Sequence, residues 1–271
     1  MSSFVETAAQ IARESGALLS DYLSRRIGFE LKGDFDLVTE ADRASEKLVI
    51  ERLIEHYPDH GIVGEEGGGQ PGAGRYRWYV DPLDGTTNFA HGYPVFNVTM
   101  GLECDGEMIA GVVYDPTRNE MFEAEKGGGA TLNGEKIRVS QAKALAHSLV
   151  STGFPSRRRH LNVNIHFYHQ LAMATHGVRR GGSAAIDLAY VACGRLDAFW
   201  EFGLNPWDLA AGTLLVAEAG GAVTDMRGAP HQVRGPDVLV DNGHIHAEIV
   251  ELFGEIFQGR YRFPLPVIPA S

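Results

Sequence analysis

The sequence predicts a mixed α and β chain in two successive halves, an α+β half with a mixed or antiparallel sheet followed by an α/β half. Three observations predict it. Apolar residues at Phe4, Ala8, Ile11, Leu18 and Tyr22, with Glu6, Arg13 and Asp21 off that stripe, repeat at the helical period. Between Phe96 and Val139 the period shortens to two, and Asp105-Gly106 and Asn133-Gly134 supply glycine-containing hairpin turns. Beyond about Leu145, strand-like and helix-like segments alternate. We set the halves at 1–144 and 145–263, with an irregular tail over 264–271 that holds Pro264, Pro266 and Pro269.

The first helix runs from about Phe4 to Arg26. Ile27, Phe29 and Leu31 then alternate as a short strand does and lead through Lys32 into the loop Gly33-Asp34-Phe35-Asp36. Thr39, with Asp42 three residues on, makes an N-terminal cap for a helix through Leu48, Val49 and Leu53 toward Tyr57. Val63-Gly64-Glu65-Glu66 ends a strand and runs into Gly67-Gly68-Gly69. A second buried strand carries Trp78-Tyr79-Val80-Asp81 and breaks at Pro82 and Gly85, after which Thr86 and Thr87 open a helix. Strands near 96–102, 108–114, 120–124 and 130–139 form the antiparallel sheet. In the second half, strands near 148–152, 196–200 and 238–240 are interleaved with helices near 164–175, 183–191, 210–219 and 245–257. Gly220-Gly221 stops the third of those helices.

Composition narrows the partners. A chain of 271 residues buries a sizeable core. A net charge of −11 disfavours a surface made for nucleic acid or anionic membrane, both of which need a basic face. The two cysteines, Cys104 and Cys193, lack metal-ligand spacing and fit small core residues in a reducing cytoplasm. With no charged leader and no apolar run of membrane-spanning length, the expectation is a soluble, cytoplasmic protein.

The chemistry concentrates at Trp78-Tyr79-Val80-Asp81-Pro82-Leu83-Asp84-Gly85-Thr86-Thr87-Asn88-Phe89. Asp81 and Asp84 are hard oxygen ligands, and a kinked backbone between them can turn the Leu83 carbonyl toward the same cation. Gly85 allows close approach to an anion, and the N–H groups that open a helix favour phosphate. If Glu65, Asp81, Asp84 and Asp208 converge, each adjacent pair repels by roughly 4 kcal/mol at ~4 Å and an effective dielectric near ~20. Divalent cations relieve that repulsion, and an all-oxygen site favours Mg²⁺ over Zn²⁺. No Cys-x5-Arg loop or D-x-D nucleophile sits at a strand end, so Asp81 reads as a ligand and not as a nucleophile. Asp42 reads equally as a helix cap or as part of this chemistry.

Three stretches in order, Gly64-Glu65-Glu66, then Trp78 to Phe89, then Trp207-Asp208-Leu209-Ala210-Ala211-Gly212, resemble the inositol monophosphatase family, and the resemblance covers nearly the whole chain before the tail. It implies an α-β-α-β-α layered sandwich with two sheets, of the sugar-phosphatase type, and the site between them. It implies Mg²⁺-dependent hydrolysis of inositol 1-phosphate and related polyol monophosphates by activated water. Glu65, Asp81 and the Leu83 carbonyl resemble the ligands of a first metal, and Asp81, Asp84 and Asp208 those of a second, with a third, looser ion near Glu65. Leu37-Val38-Thr39-Glu40-Ala41-Asp42 resembles a segment whose last aspartate supports the attacking water, so Glu65, Thr86 and Asp42 form the implied catalytic set. Lys32 matches a lysine on a mobile loop.

On the substrate side the resemblance implies that the Gly85 and Thr86 N–H groups take phosphate oxygens, and that Gly182, Ser183 and Ala184 lie along the ring. Glu201 binds ring hydroxyls, with Asp208 beside it; a carboxylate there accepts two hydroxyl hydrogen bonds and rejects a bulky anion. A homodimer is also implied. Glu66, Arg157-Arg158-Arg159, Arg179 and Arg180 receive no catalytic role, and His244 and His246 read as surface residues without metal. Related scaffolds that act on fructose 1,6-bisphosphate, histidinol phosphate or nucleotide 3′-phosphates, and a noncatalytic regulatory binding protein, are the alternatives.

Overall fold

In the computed structural model the described residues are 3–25, 29–33, 36–154 and 162–265; side-chain surroundings at 29, 31–33 and 36–38 lie outside that description. The expectations for Ile27, the Lys32 side chain, Arg157-Arg158-Arg159, Pro266 and Pro269 therefore lie outside the described residues.

The chain opens with α1 (Phe4–Arg25), whose buried stripe includes Ala8, Ile11, Ala12 and Leu19, and a two-stranded ribbon, β1 (Phe29–Gly33) and β2 (Asp36–Thr39). α2 (Glu40–His56) starts at the Thr39 cap. The reciprocal bonds of Thr39 and Asp42 satisfy the helix's first free N–H groups. There follow β3 (Gly61–Gly64), β4 (Gly69–Gln70), β5 (Tyr76–Asp84), the short α3 (Thr86–Ala90), β6 (Asn97–Cys104), β7 (Glu107–Asp115), β8 (Glu120–Glu125), β9 (Gly129–Leu132) and β10 (Glu135–Lys136). The second half holds β11 (Leu149–Thr152), α4 (Asn164–Ala174), β12 (Gly177–Arg179), α5 (Ala184–Ala192), β13 (Ala198–Phe202), α6 (Pro206–Glu218), β14 (Ala222–Thr224), β15 (Asp237–Asp241) and α7 (His246–Phe257).

Two larger sheets result, ordered β10-β9-β8-β7-β6-β5-β3-β4 and β12-β11-β13-β15-β14. Their alternating side chains sort into three cores. Trp78, Val80, Val98 and Met100 face α1 and α2, whereas Val113 and Phe122 face α5 and α6 on the opposite side. Phe199 and Val240 of the second sheet close on that same middle layer, and Trp200 and Leu239 point to the outer layer with Phe167 of α4 and Phe253 of α7. The architecture is the layered α-β-α-β-α arrangement with a sheet in each half. Among the described residues no helix is long and apolar enough to cross a membrane.

The structure decides one alternative that the sequence left open, and two departures from the sequence reading have local causes. The first large sheet is mixed, because β3 pairs parallel to β5 while its other pairings are antiparallel. The central strand does not break at Pro82 but runs to Asp84, with a bulge between Asp81 and Asp84 that accommodates a residue lacking an N–H. And α6 begins at Pro206, ahead of Ala210, since proline is pre-set for the first helical position. That earlier start places Asp208 in the helix's first turn.

Candidate active site

The parallel pairing of β3 and β5 is what brings the first two carboxylates together. Gly64 stands opposite Val80, the Glu65 N–H donates to the Val80 carbonyl at 3.2 Å, and so Glu65 and Asp81 follow the last paired residues of β3 and β5 side by side. Asp81 is buried, and its Oδ1 accepts the Leu83 N–H across the bulge at 3.0 Å. Gly85 follows at φ 96°, a left-handed turn in which a Cβ would stand 2.8 Å from the Val95 carbonyl oxygen, so only glycine fits without strain.

Thr86 then meets α2. Its hydroxyl lies 3.0 Å from Asp42 Oδ1 and 3.1 Å from the Leu83 carbonyl, one proton shared between two acceptors. The other oxygen of Asp42, Oδ2, accepts the Thr39 N–H at 2.7 Å and the Thr39 hydroxyl at 2.5 Å. The two readings of Asp42 are thus compatible, one oxygen capping the helix and the other facing Thr86.

Asp208 arrives from the second half. Its Oδ2 accepts the Asn205 N–H at 2.7 Å, and its helix lies close on the first sheet because Ala210 and Ala211 meet Gly101 and Gly111. Asp84, buried, turns its Oδ2 to three donors: the Asn97 amide at 2.9 Å, the Ser183 hydroxyl at 2.7 Å and the Ala185 N–H at 2.9 Å. The last two open α5, so a carboxylate from the first half caps a helix of the second.

Electrostatics follow from this crowding. Burial, and then the charges of Glu65, Asp84 and Asp208, hold the Asp81 carboxyl well above the usual range. Burial followed by Asp84 does the same to Asp208. Asp84 is also raised by burial, but the donors on Oδ2 offset part of that rise. Among the described residues no lysine or arginine pairs with Asp81, Asp84 or Asp208 within 4.0 Å. Nor do any three His, Cys, Asp or Glu side chains among them close on one point as a ready-made metal cage. Asp81, Asp84 and Asp208 are instead each held by their own donors. The donor set itself, hard oxygens in excess of any neutralising cation, suits divalent ions of the Mg²⁺ kind.

Toward the second sheet, Glu201 on β13 is buried against Gly153, where a Cβ would stand 2.0 Å from its Oε2. Burial, and then Asp208 and Asp187, raise its carboxyl well above the usual range. Gly182 has φ 85° and precedes Ser183, whose hydroxyl is engaged by Asp84 and caps Ile186 at 3.4 Å.

Sequence reasoning missed Asn97, Gly153 and Asp187. Asp187, only 5% exposed and with its carboxyl raised by burial and then by Asp84, is an acid inside the apolar run Ala184-Ala185-Ile186-Asp187-Leu188-Ala189, and that break in the run was its available signal. His244 is exposed, as expected, but His246 is not a free surface residue. Its Nδ1 lies 2.6 Å from Oδ2 of the fully buried Asp241. Cys104 and Cys193 are free and half-buried, not fully in the core.

With this geometry in place, comparisons with known proteins are informative. The inositol monophosphatase family matches residues 1–258. The Nus factor SuhB of Pseudomonas aeruginosa is 44% identical over 261 residues, covering 93% of this chain and 94% of that protein. The inositol-1-monophosphatase of Rhizobium meliloti is 44% identical over 225 residues, covering 82% and 84%. The structure of an inositol monophosphatase from Anabaena superposes with a TM-score of 0.84 at 42% identity, covering 94% of this chain and 95% of that one. The chain belongs to the inositol monophosphatase family.

Proposed function

We propose that this protein hydrolyses phosphate monoesters of small polyols, inositol 1-phosphate foremost, with Mg²⁺ as cofactor. The observation that carries the reading is that Glu65, Asp84 and Asp208 lie near enough to the buried Asp81 to raise its carboxyl, beside the Asp42–Thr86 hydrogen bond. In this reading Glu65, Asp81 and the Leu83 carbonyl hold one ion, Asp81, Asp84 and Asp208 a second, and Glu65 borders a looser third. When bound, the ions neutralise charge on the phosphoryl group and lower the pKa of water.

The protein's own groups do the rest. Thr86 Oγ accepts a proton from a water in the cleft while its own proton passes to Asp42 Oδ1, and the Thr39 bonds keep Asp42 from turning away. Gly85 and Thr86 offer backbone N–H groups to the phosphate. Gly182, Ser183 and Ala184 border the ring. Because the Ser183 hydroxyl donates to Asp84, this turn serves the ring through its backbone. Glu201 accepts ring hydroxyls, with Asp208 at the junction of ring and phosphate. The same reading takes the protein as a cytoplasmic homodimer acting on a small molecule, in keeping with its net charge of −11.

The test is phosphate release with Mg²⁺ from inositol 1-phosphate, fructose 1,6-bisphosphate, histidinol phosphate, NADP and adenosine 3′,5′-bisphosphate, repeated with Glu201→Ala. Preference for inositol 1-phosphate that collapses in the variant supports the reading, and preference for another compound overturns the substrate. A noncatalytic binding role is the second reading, favoured by the name of the Pseudomonas relative; silence across the whole panel would put it first.

A further inference from the structure

We infer that Asn97 is a positioning residue that commits one oxygen of Asp84 to the protein and thereby presents the other to a cation. Asn97 opens β6 directly opposite Asp84 and is fully buried. Its Nδ2 donates to Asp84 Oδ2 at 2.9 Å and to Ser183 Oγ at 2.8 Å, while Ser183 in turn donates to the same Oδ2 at 2.7 Å. The three side chains form a closed triangle. It joins the bulged end of β5, the strand paired beside it and the cap of α5 in the other half of the molecule.

The amide's orientation is decided by charge. Turning it over would set Oδ1 against a carboxylate and against a hydroxyl whose proton is already given to Asp84. The orientation observed leaves Asn97 Oδ1 buried with no hydrogen-bond partner. A side chain needed only to fill this space would be apolar and would leave no such acceptor stranded. The two N–H bonds are therefore what the asparagine contributes. The regular pairing of β5 is interrupted between Asp81 and Asp84 and resumes only at Asp84 itself, opposite Asn97, so the side-chain bond fixes the direction of a carboxylate that stands just past a bulge. With it, three donors converge on Oδ2, and none of the three is spent on Oδ1.

This inference rests on the reading of Asp84 as a metal ligand. Partners that orient a ligating carboxylate typically change metal affinity by about 10–100-fold when removed. The full-length chain, freed of metal by chelation, is titrated with Mg²⁺ and no substrate, and heat and thermal unfolding are followed for the wild type, Asn97→Leu and Asn97→Ala. Asn97→Leu keeps the branched shape at a larger volume and removes the donor; Asn97→Ala adds no volume, so it reports even if the leucine misfolds. The expected result is a Mg²⁺ half-saturation raised about 10–100-fold, with or without a fall in the metal-free melting temperature. A merely structural asparagine would give a lower metal-free melting temperature with unchanged half-saturation, and that overturns the inference. If the wild type itself takes up no Mg²⁺, the metal reading falls and this inference with it, a result distinct from a wild type that binds and variants that bind equally well.

Discussion

Thr86 Oγ1 lies 3.0 Å from Asp42 Oδ1, a hydrogen bond between residues 44 positions apart that ties the opening of α3 to the opening of α2. Asp42 serves two structures through its two oxygens, and the two services separate experimentally. In the Asp42→Asn variant the remaining side-chain oxygen can still accept from Thr39, but the amide nitrogen facing Thr86 cannot take a proton. The substitution is expected to lower kcat by about 10²–10⁴-fold, the range for a lost proton acceptor, with a cap loss of at most ~1 kcal/mol. Steady-state kinetics together with a melting curve read both. A kcat within about twofold of wild type removes Asp42 from the catalytic set.

Asp81 is held above its usual range by burial and by neighbouring carboxylates, so in the metal-free protein its charge is a source of instability. The sign follows from proton linkage. A carboxyl whose folded pKa lies above its unfolded value binds more protons when folded, and stability falls as pH rises from the unfolded value, near ~4, through the folded one. Asp81→Asn is expected to raise the metal-free melting temperature at pH 8 and to leave it little changed near pH 4. Turnover with Mg²⁺ should fall by about 10²-fold or more. Melting in chelator at the two pH values decides: a variant destabilised at pH 8 contradicts the crowding argument.

Gly153 leaves room for the Glu201 carboxylate, and an added Cβ would stand 2.0 Å from its Oε2. Gly153→Ala must displace a side chain that has little space to move. If Glu201 holds the substrate ring, KM for inositol 1-phosphate rises by about tenfold, roughly the value of one hydrogen bond to a charged group, with a smaller effect on kcat. Equal losses in both parameters would assign Glu201 elsewhere.

The His246–Asp241 pair answers pH in a definite direction. The bond to Asp241 raises the His246 pKa against the opposing effect of burial, despite a position at the start of α7 where a cation is disfavoured. A histidine whose folded pKa is raised contributes stability that is fully present below its unfolded value, near ~6.5, and is lost as pH rises through the folded value. His246→Ala is expected to lower the melting temperature more at pH 5.5 than at pH 9, by roughly 2–4 °C for each kcal/mol in a chain of this size. Paired melts of variant and wild type across that range test it; a pH-independent difference means that the pair contributes no charge.

Relations between near neighbours were legible in the sequence. The Thr39–Asp42 cap, the helical stripe of α1 and the Asn133-Gly134 turn depend on residues a few positions apart, where backbone geometry leaves one sterically sensible outcome. The central motif and the four candidate carboxylates could be picked out for a different reason, since their residue types suggest the metal chemistry proposed above. What the tertiary structure decided were relations across distance: the parallel pairing that sets Glu65 beside Asp81, the bulge that carries β5 past Pro82, and the triangle of Asp84, Asn97 and Ser183. Asn97 could not be singled out, because a buried polar residue has meaning only through its partner or lack of one. Here the partners lie on strands and helices that folding alone brings together.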